Sequence, residues 1–204
     1  MFRLVLALLA LLTLAACGGP AEPKWASDER VAAARYVAEG PPSVTLYTVI
    51  NNKNGSGAHA ALMINGSERI LFDPAGSWYH PHIPERNDVH FGITDRIRNF
   101  YIDYHARETY RVVEQTVVVS PQVAEMVAER AKAYGAVPKA QCTYAVSRVL
   151  SDVPGFESLS VTWFPKALMR QFGKLPGVSE RTITDDDADK NHGVLLIQSE
   201  QAPR

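Results

Sequence analysis

The 204-residue chain carries 21 Lys and Arg against 22 Asp and Glu, a formal net charge of −1, and 46% of its residues are hydrophobic. Near-neutrality argues against nucleic-acid binding, and the length suits one domain with a real hydrophobic core. No internal repeat or low-complexity segment divides it, and it has only two cysteines, Cys17 and Cys142.

In chain order, Arg3 supplies a short positive segment and Leu4 to Leu14 an apolar run too short to span a bilayer, the pattern of a signal peptide. The run ends in Leu14-Ala15-Ala16-Cys17, which resembles the bacterial lipobox. That resemblance implies cleavage after residue 16, diacylation of Cys17 and attachment to a bacterial membrane. Each buried methylene adds about 0.8 kcal/mol, so two acyl chains anchor stably. Gly18 in place of Asp after the cysteine implies the outer membrane, facing the periplasm. Residues 17–25, with Pro20 and Pro23, read as a lipidated tether that spaces the domain from the membrane. Residues 26–204 are then expected to form a single α+β domain.

Ser27 reads as an N-cap, with Asp28 and Glu29 in the first turn of a helix running to Gly40. Val44 to Ile50 is β-branched and aromatic, hence a strand. Ala58 to Ile64 and Glu68 to Phe72 form a hairpin around Asn65-Gly66, stopped by Asp73-Pro74. Residues 74–92, dense in Pro, Gly, aromatics and three histidines, are expected to be a long irregular loop. A helix from Ile93 to about His105 and a strand from Tyr110 to Val119 follow. Ser120-Pro121 opens a helix whose apolar stripe is Val123, Met126, Val127, Ala131 and Tyr134, ended by Gly135. A helix from Cys142 to about Asp152, another from Pro165 to Phe172, and a strand from Gly193 to Gln198 complete the segregated pattern of an α+β fold.

If Cys17 is consumed by an anchor, Cys142 is a lone thiol in an oxidising compartment, where it is a liability unless buried or reactive. It follows Pro138 and begins an apolar helical pattern, so its sulfur stands at a helix N-terminus, which favours the thiolate. A thiol nucleophile needs a base and a group to orient that base. His59, opening a strand between small residues, is the candidate base, and Asp73, closing the partner strand, the candidate orienter. Two registers are open. A two-residue loop pairs His59 with Phe72 and turns Asp73 to the opposite face, leaving His80 or His82 to orient the base; a three-residue loop, Asn65-Gly66-Ser67, pairs His59 with Asp73.

A histidine opening a hairpin strand, a polar residue on the next strand and a later Gln141-Cys142-Thr143 at a helix start resemble the circularly permuted NlpC/P60 papain-like proteins. These include the lecithin retinol acyltransferase-like group, and the likeness covers roughly residues 43–152. Gln141 stands where Asn is usual, Ala60-Ala61 where glycine is common, and Asp73 where histidine is frequent. The resemblance implies a permuted papain-like fold, an antiparallel sheet with the nucleophile at a helix N-terminus, and a Cys142–His59–Asp73 hydrolase needing no cofactor. By location it implies cell-wall peptides as substrate, hence an endopeptidase or amidase. The alternatives are acyl transfer or lipid deacylation, or a non-catalytic lipoprotein that binds peptidoglycan or an envelope partner.

No metal site is expected. His80, His82 and His90 lack Cys or Glu at zinc-ligand spacing and read as an aromatic-packed or solvated loop. Asp185, Asp187, Asp189 and Asn191 mimic a calcium loop, but Lys190 replaces the required glycine and Leu196 the bidentate glutamate. Trp78, Tyr79 and Trp163 read as local packing rather than a substrate groove.

Overall fold

Strands β1 (Ser43–Asn51) and β2 (Gly57–Asn65) are apolar on both faces, which requires a layer of structure on each side. The computed structural model describes residues 19–189, and supplies both layers. Cys17, the leader and the strand expected at Gly193–Gln198 lie outside the described residues. The protein is a mixed α+β fold around one seven-stranded sheet. Its order is β4-β5-β3-β2-β1-β6-β7, antiparallel at every pairing, with β3 at Arg69–Phe72, β4 at Glu85–Arg86, β5 at Val89–Phe91, β6 at Tyr110–Val118 and β7 at Ser179–Ile183.

Alternation along each strand sorts the core into two halves. Val44, Leu46, Ala60, Leu62 and Ile64 face the larger one, closed by α3 (Pro121–Tyr134), α4 (Cys142–Leu150) and α5 (Pro165–Phe172). Tyr47, Ala61, Met63 and Leu71 face the smaller one, closed by α2 (Asp95–His105) through Ile97, Phe100, Tyr101 and Ile102.

Caps follow the sequence. Ser27, Thr94 and Ser120 each accept a hydrogen bond from the third residue beyond them, and Gly135 ends α3 at φ 91°. Helix α1 (Asp28–Ala34), however, stops well before Gly40. Tertiary bonds unwind the next turn: the Arg35 guanidinium donates to Ser67 O, and Tyr36 O accepts from Arg69 N. In α3 the buried face is Ala124, Val127, Ala128 and Ala131, while Met126 and Tyr134 are exposed. Alanines let the helix axis approach the sheet, so the larger side chains flank the contact.

The expected loop at 74–92 contains a second hairpin. Strands β4 and β5 turn through Asn87 and Asp88, both at positive φ (47° and 68°), and β5 pairs with β3. Asn and Asp tolerate the left-handed conformation a two-residue turn needs without a glycine. Strand β7, polar and exposed, borders β6. The segment read as a spacer does not stand free: Ala26 N bonds Glu85 O, Asn87 N bonds Lys24 O, Lys139 N bonds Gly19 O, and Arg86 lies over the Trp25 ring. Residues 19–26 are strapped along the domain.

Candidate active site

The β2–β3 register decides which side chains meet. Leu62 pairs with Phe72 and Asn65 with Arg69, giving a three-residue loop of Gly66, Ser67 and Glu68. Neither expected register holds, because the loop lies one residue further on. The shift relative to the expected three-residue loop is an even number of positions, which preserves the face. In this register Asp73 falls opposite Ala61, two residues along β2 from His59 and on the same side. β3 ends at Phe72, leaving residues 57–61 of β2 without a partner on that edge.

Asp73 Oδ1 lies 2.6 Å from His59 Nε2 and accepts the Tyr101 hydroxyl at 2.8 Å. The carboxylate is almost fully buried. Gly76 leaves room for it: a Cβ there would fall 1.8 Å from Asp73 Oδ2. With Nε2 committed to Asp73, Nδ1 of His59 remains for another partner, and the imidazole and the Cys142 thiol are close enough to shift each other's pKa.

Cys142 is the first residue of α4, on the opposite layer. It lies near His59 past the corner where β3 has ended, and the Ala60 N–H favours its thiolate. Gln141 caps the helix without a side-chain bond, so the first-turn N–H groups stay available to an anion. Ala140, just before, sits at φ 67°, a conformation that alanine rarely takes and that concentrates at functional turns.

The electrostatics follow from this geometry. Burial opposes charge on His59, but the Asp73 carboxylate and the bonds to Asp73 and Cys142 outweigh it and raise its pKa to about 10. Burial likewise opposes the Cys142 thiolate, and the hydrogen bond and charge of His59 prevail, lowering the thiol to about 7. Asp73, despite burial, is held well below the usual carboxylate range by His59. Both shifts on the Cys–His pair favour the thiolate–imidazolium form.

A cleft of ≈ 850 Å³ opens on His59 and Asp73, walled by Trp78, Tyr104, His105 and Arg107 among others. Cys142, 9% exposed, is not among the wall residues and adjoins the cleft through His59. Pro20, Glu22 and Lys24 of the strap line its other side.

Scans against protein-family models, the curated proteins and the solved structures return no match. The site therefore has to be understood from its own side chains.

Sequence reasoning singled out Cys142, His59 and Asp73; His59 and Asp73 meet at 2.6 Å, and Cys142 is near enough to shift the pKa of His59. That reasoning missed Tyr101 and His105. They lie one turn apart on α2, and an i, i+4 Tyr/His pair on one helix face was the available signal. His105 stacks on His59, with ring centroids 5.7 Å apart and an interplanar angle of 6°. Burial pulls its pKa down to about 4, against the attraction of Asp73, so it is neutral at pH 7. Ligand atoms of His59, Asp73 and His105 lie within 4.8 Å of one another, a set that could hold a metal ion. Any ion there would have to take the place of the proton between His59 and Asp73.

His80 and His90 go elsewhere. His80 is buried edge-on against Phe100, and His90 packs against Trp78 at 4.9 Å. Neither His80 nor His82 orients His59. Asp185 and Asp187 turn toward Arg107, each 3.8 Å from its Nη1, rather than around a cation; Asn191 lies outside the described residues. Trp78 and Tyr79 line the cleft, but Trp163 does not.

Proposed function

We propose that the protein is a cysteine hydrolase of permuted NlpC/P60 type, lipid-anchored through Cys17 at the outer membrane and acting on amide bonds of cell-wall peptides. One observation carries the reading: a single imidazole contacts a buried carboxylate at 2.6 Å and is coupled to a thiol at a helix N-terminus closely enough that each shifts the other's pKa. A nucleophile, a base and an orienting group on three separate elements have no packing reason to converge.

In this reading the Cys142 thiolate attacks the amide carbonyl carbon, forming a C–S bond, while the oxygen gains charge near the first-turn N–H groups of α4. The His59 imidazolium gives its proton to the departing amine as the C–N bond breaks. Neutral His59 then takes a proton from water, whose oxygen attacks the thioester; the C–S bond breaks and the acid leaves. Asp73 keeps the ring oriented and stabilises its charged form throughout.

The test is the pH dependence of Cys142 alkylation in the mature protein, beside His59→Ala. Wild type should titrate near 7 and the variant at or above the free-thiol value of about 8.5. Titration near 8.5 in both would end the proposal. Hydrolysis of cell-wall peptide fragments, abolished by Cys142→Ser, tests the substrate.

A binding-only lipoprotein on the same fold draws on the limited exposure of Cys142. It predicts the shifted titration without any turnover.

A further inference from the structure

The active-site end of the sheet also carries an exposed aromatic pair that the catalytic reading leaves unused. Trp163 and Phe164 are 54% and 70% exposed, and Val161 beside them 40%. Such a cluster costs solubility unless something covers it. It is also fixed rather than loose. Trp163 stacks on Tyr144 of α4 at 4.6 Å and 24°, and the Ser147 hydroxyl accepts from Thr162 N–H at 3.1 Å.

Two further placements share this end. Phe164 caps α5, whose Pro165 packs on Gly57 at the start of β2, two residues before His59; a Cβ at Gly57 would fall 2.7 Å from Pro165 Cβ. The N-terminal chain enters here as well, because Gly19 O accepts from Lys139 N, three residues before Cys142. Cys17 is two residues upstream, and two residues of chain reach at most about 7 Å. Lys53, exposed in the turn between β1 and β2, is at this end, and Lys139, beside the entry of the N-terminal chain, is exposed and pairs with Glu22 at 3.4 Å.

We infer that this face rests on the lipid bilayer, with Trp163 and Phe164 in the interface and the lysines toward anionic headgroups. The short connection from Gly19 leaves an anchored domain little freedom to turn another face to the membrane. An aromatic pair beside basic residues is the chemistry of an interfacial contact. The inference rests on the proposed attachment through Cys17 and is independent of hydrolysis.

The experiment uses the lipidated full chain in vesicles of phosphatidylethanolamine and phosphatidylglycerol, with and without brominated acyl chains, compared with Trp163→Phe. Flotation with the vesicles reports attachment, and the emission lost between wild type and variant reports Trp163. The expected result is flotation of both proteins, with the Trp163 component quenched by the brominated lipid and shielded from iodide. Flotation with a Trp163 component open to iodide and untouched by bromine overturns the inference while leaving attachment intact. Failure to float overturns both. A Trp163 component that responds to soluble peptidoglycan fragments and not to brominated lipid overturns it in favour of a wall-binding platform.

Discussion

Tyr101 donates its hydroxyl to Asp73 Oδ1, the oxygen that also meets His59 Nε2, so one carboxylate atom joins helix α2 to strand β2. Tyr101→Phe removes a bond to a buried charge, an interaction worth about 1.5–3 kcal/mol. Urea unfolding should show a loss in that range. Hydrolysis should fall, though less than in Asp73→Ala, which removes the orienting group altogether. Unchanged stability would mean that the hydroxyl does not hold the carboxylate.

Protonation of the Cys–His pair sets a second expectation. His59 is raised from 6.5 to about 10 on folding, so its stabilisation is complete below pH 6.5 and is lost as pH rises toward 10. Cys142 is lowered from 9.0 to about 7, so its stabilisation is complete above pH 9 and is lost as pH falls toward 7. Between those limits the two dependences oppose each other and nearly cancel. Cys142→Ala leaves only that of His59. Relative to wild type, the variant should lose stability with rising pH across this window, at up to about 1.4 kcal/mol per pH unit. Urea midpoints measured in parallel on both proteins check this; parallel curves would show that folding does not lower the pKa of the Cys142 thiol.

Gly76 stands against Asp73 Oδ2, so Gly76→Ala must push the carboxylate or the loop aside. Overpacking of this kind costs about 1–3 kcal/mol. The sharper readout is Cys142 alkylation, whose midpoint should rise as the Asp73–His59 pair loosens. A midpoint equal to wild type would place the control of His59 elsewhere.

Zinc offers a fourth check. His59, Asp73 and His105 present ligand atoms of the kinds that bind it. Added Zn²⁺ should slow both alkylation and hydrolysis by occupying His59. His105→Gln should relieve this while leaving the metal-free titration of Cys142 in place. Equal zinc sensitivity in both proteins would rule out His105 as a ligand.

Much of this was legible in the sequence, for reasons that vary by element. Strands β1 and β6 announce themselves through β-branched runs, β2 through the Asn65-Gly66 turn signal, and α3 and α5 through an opening proline. Cys142 stood out because it begins its helix, and His59 because it lies near the start of its strand. The hairpin was clear but not its register, since Asn65-Gly66 suggests a turn without fixing which residue the strands pair last. Strand β7 is polar and exposed, so periodicity gave no sign of it. The β4–β5 turn lacks the glycine that usually marks one. Tyr101 and His105 share a helix face in the sequence, but only packing of α2 on the second face of the sheet brings them to Asp73.

The early end of β3 has a mechanical consequence. The sulfur belongs to the layer of α4 and the imidazole to the layer of α2, and the sheet separates them everywhere except at that corner. Reactivity at the thiol thus reports the docking of two half-cores at once. A slip of either layer by an ångström or so parts the pair while each half-core is still packed, so the site should fail before the fold does.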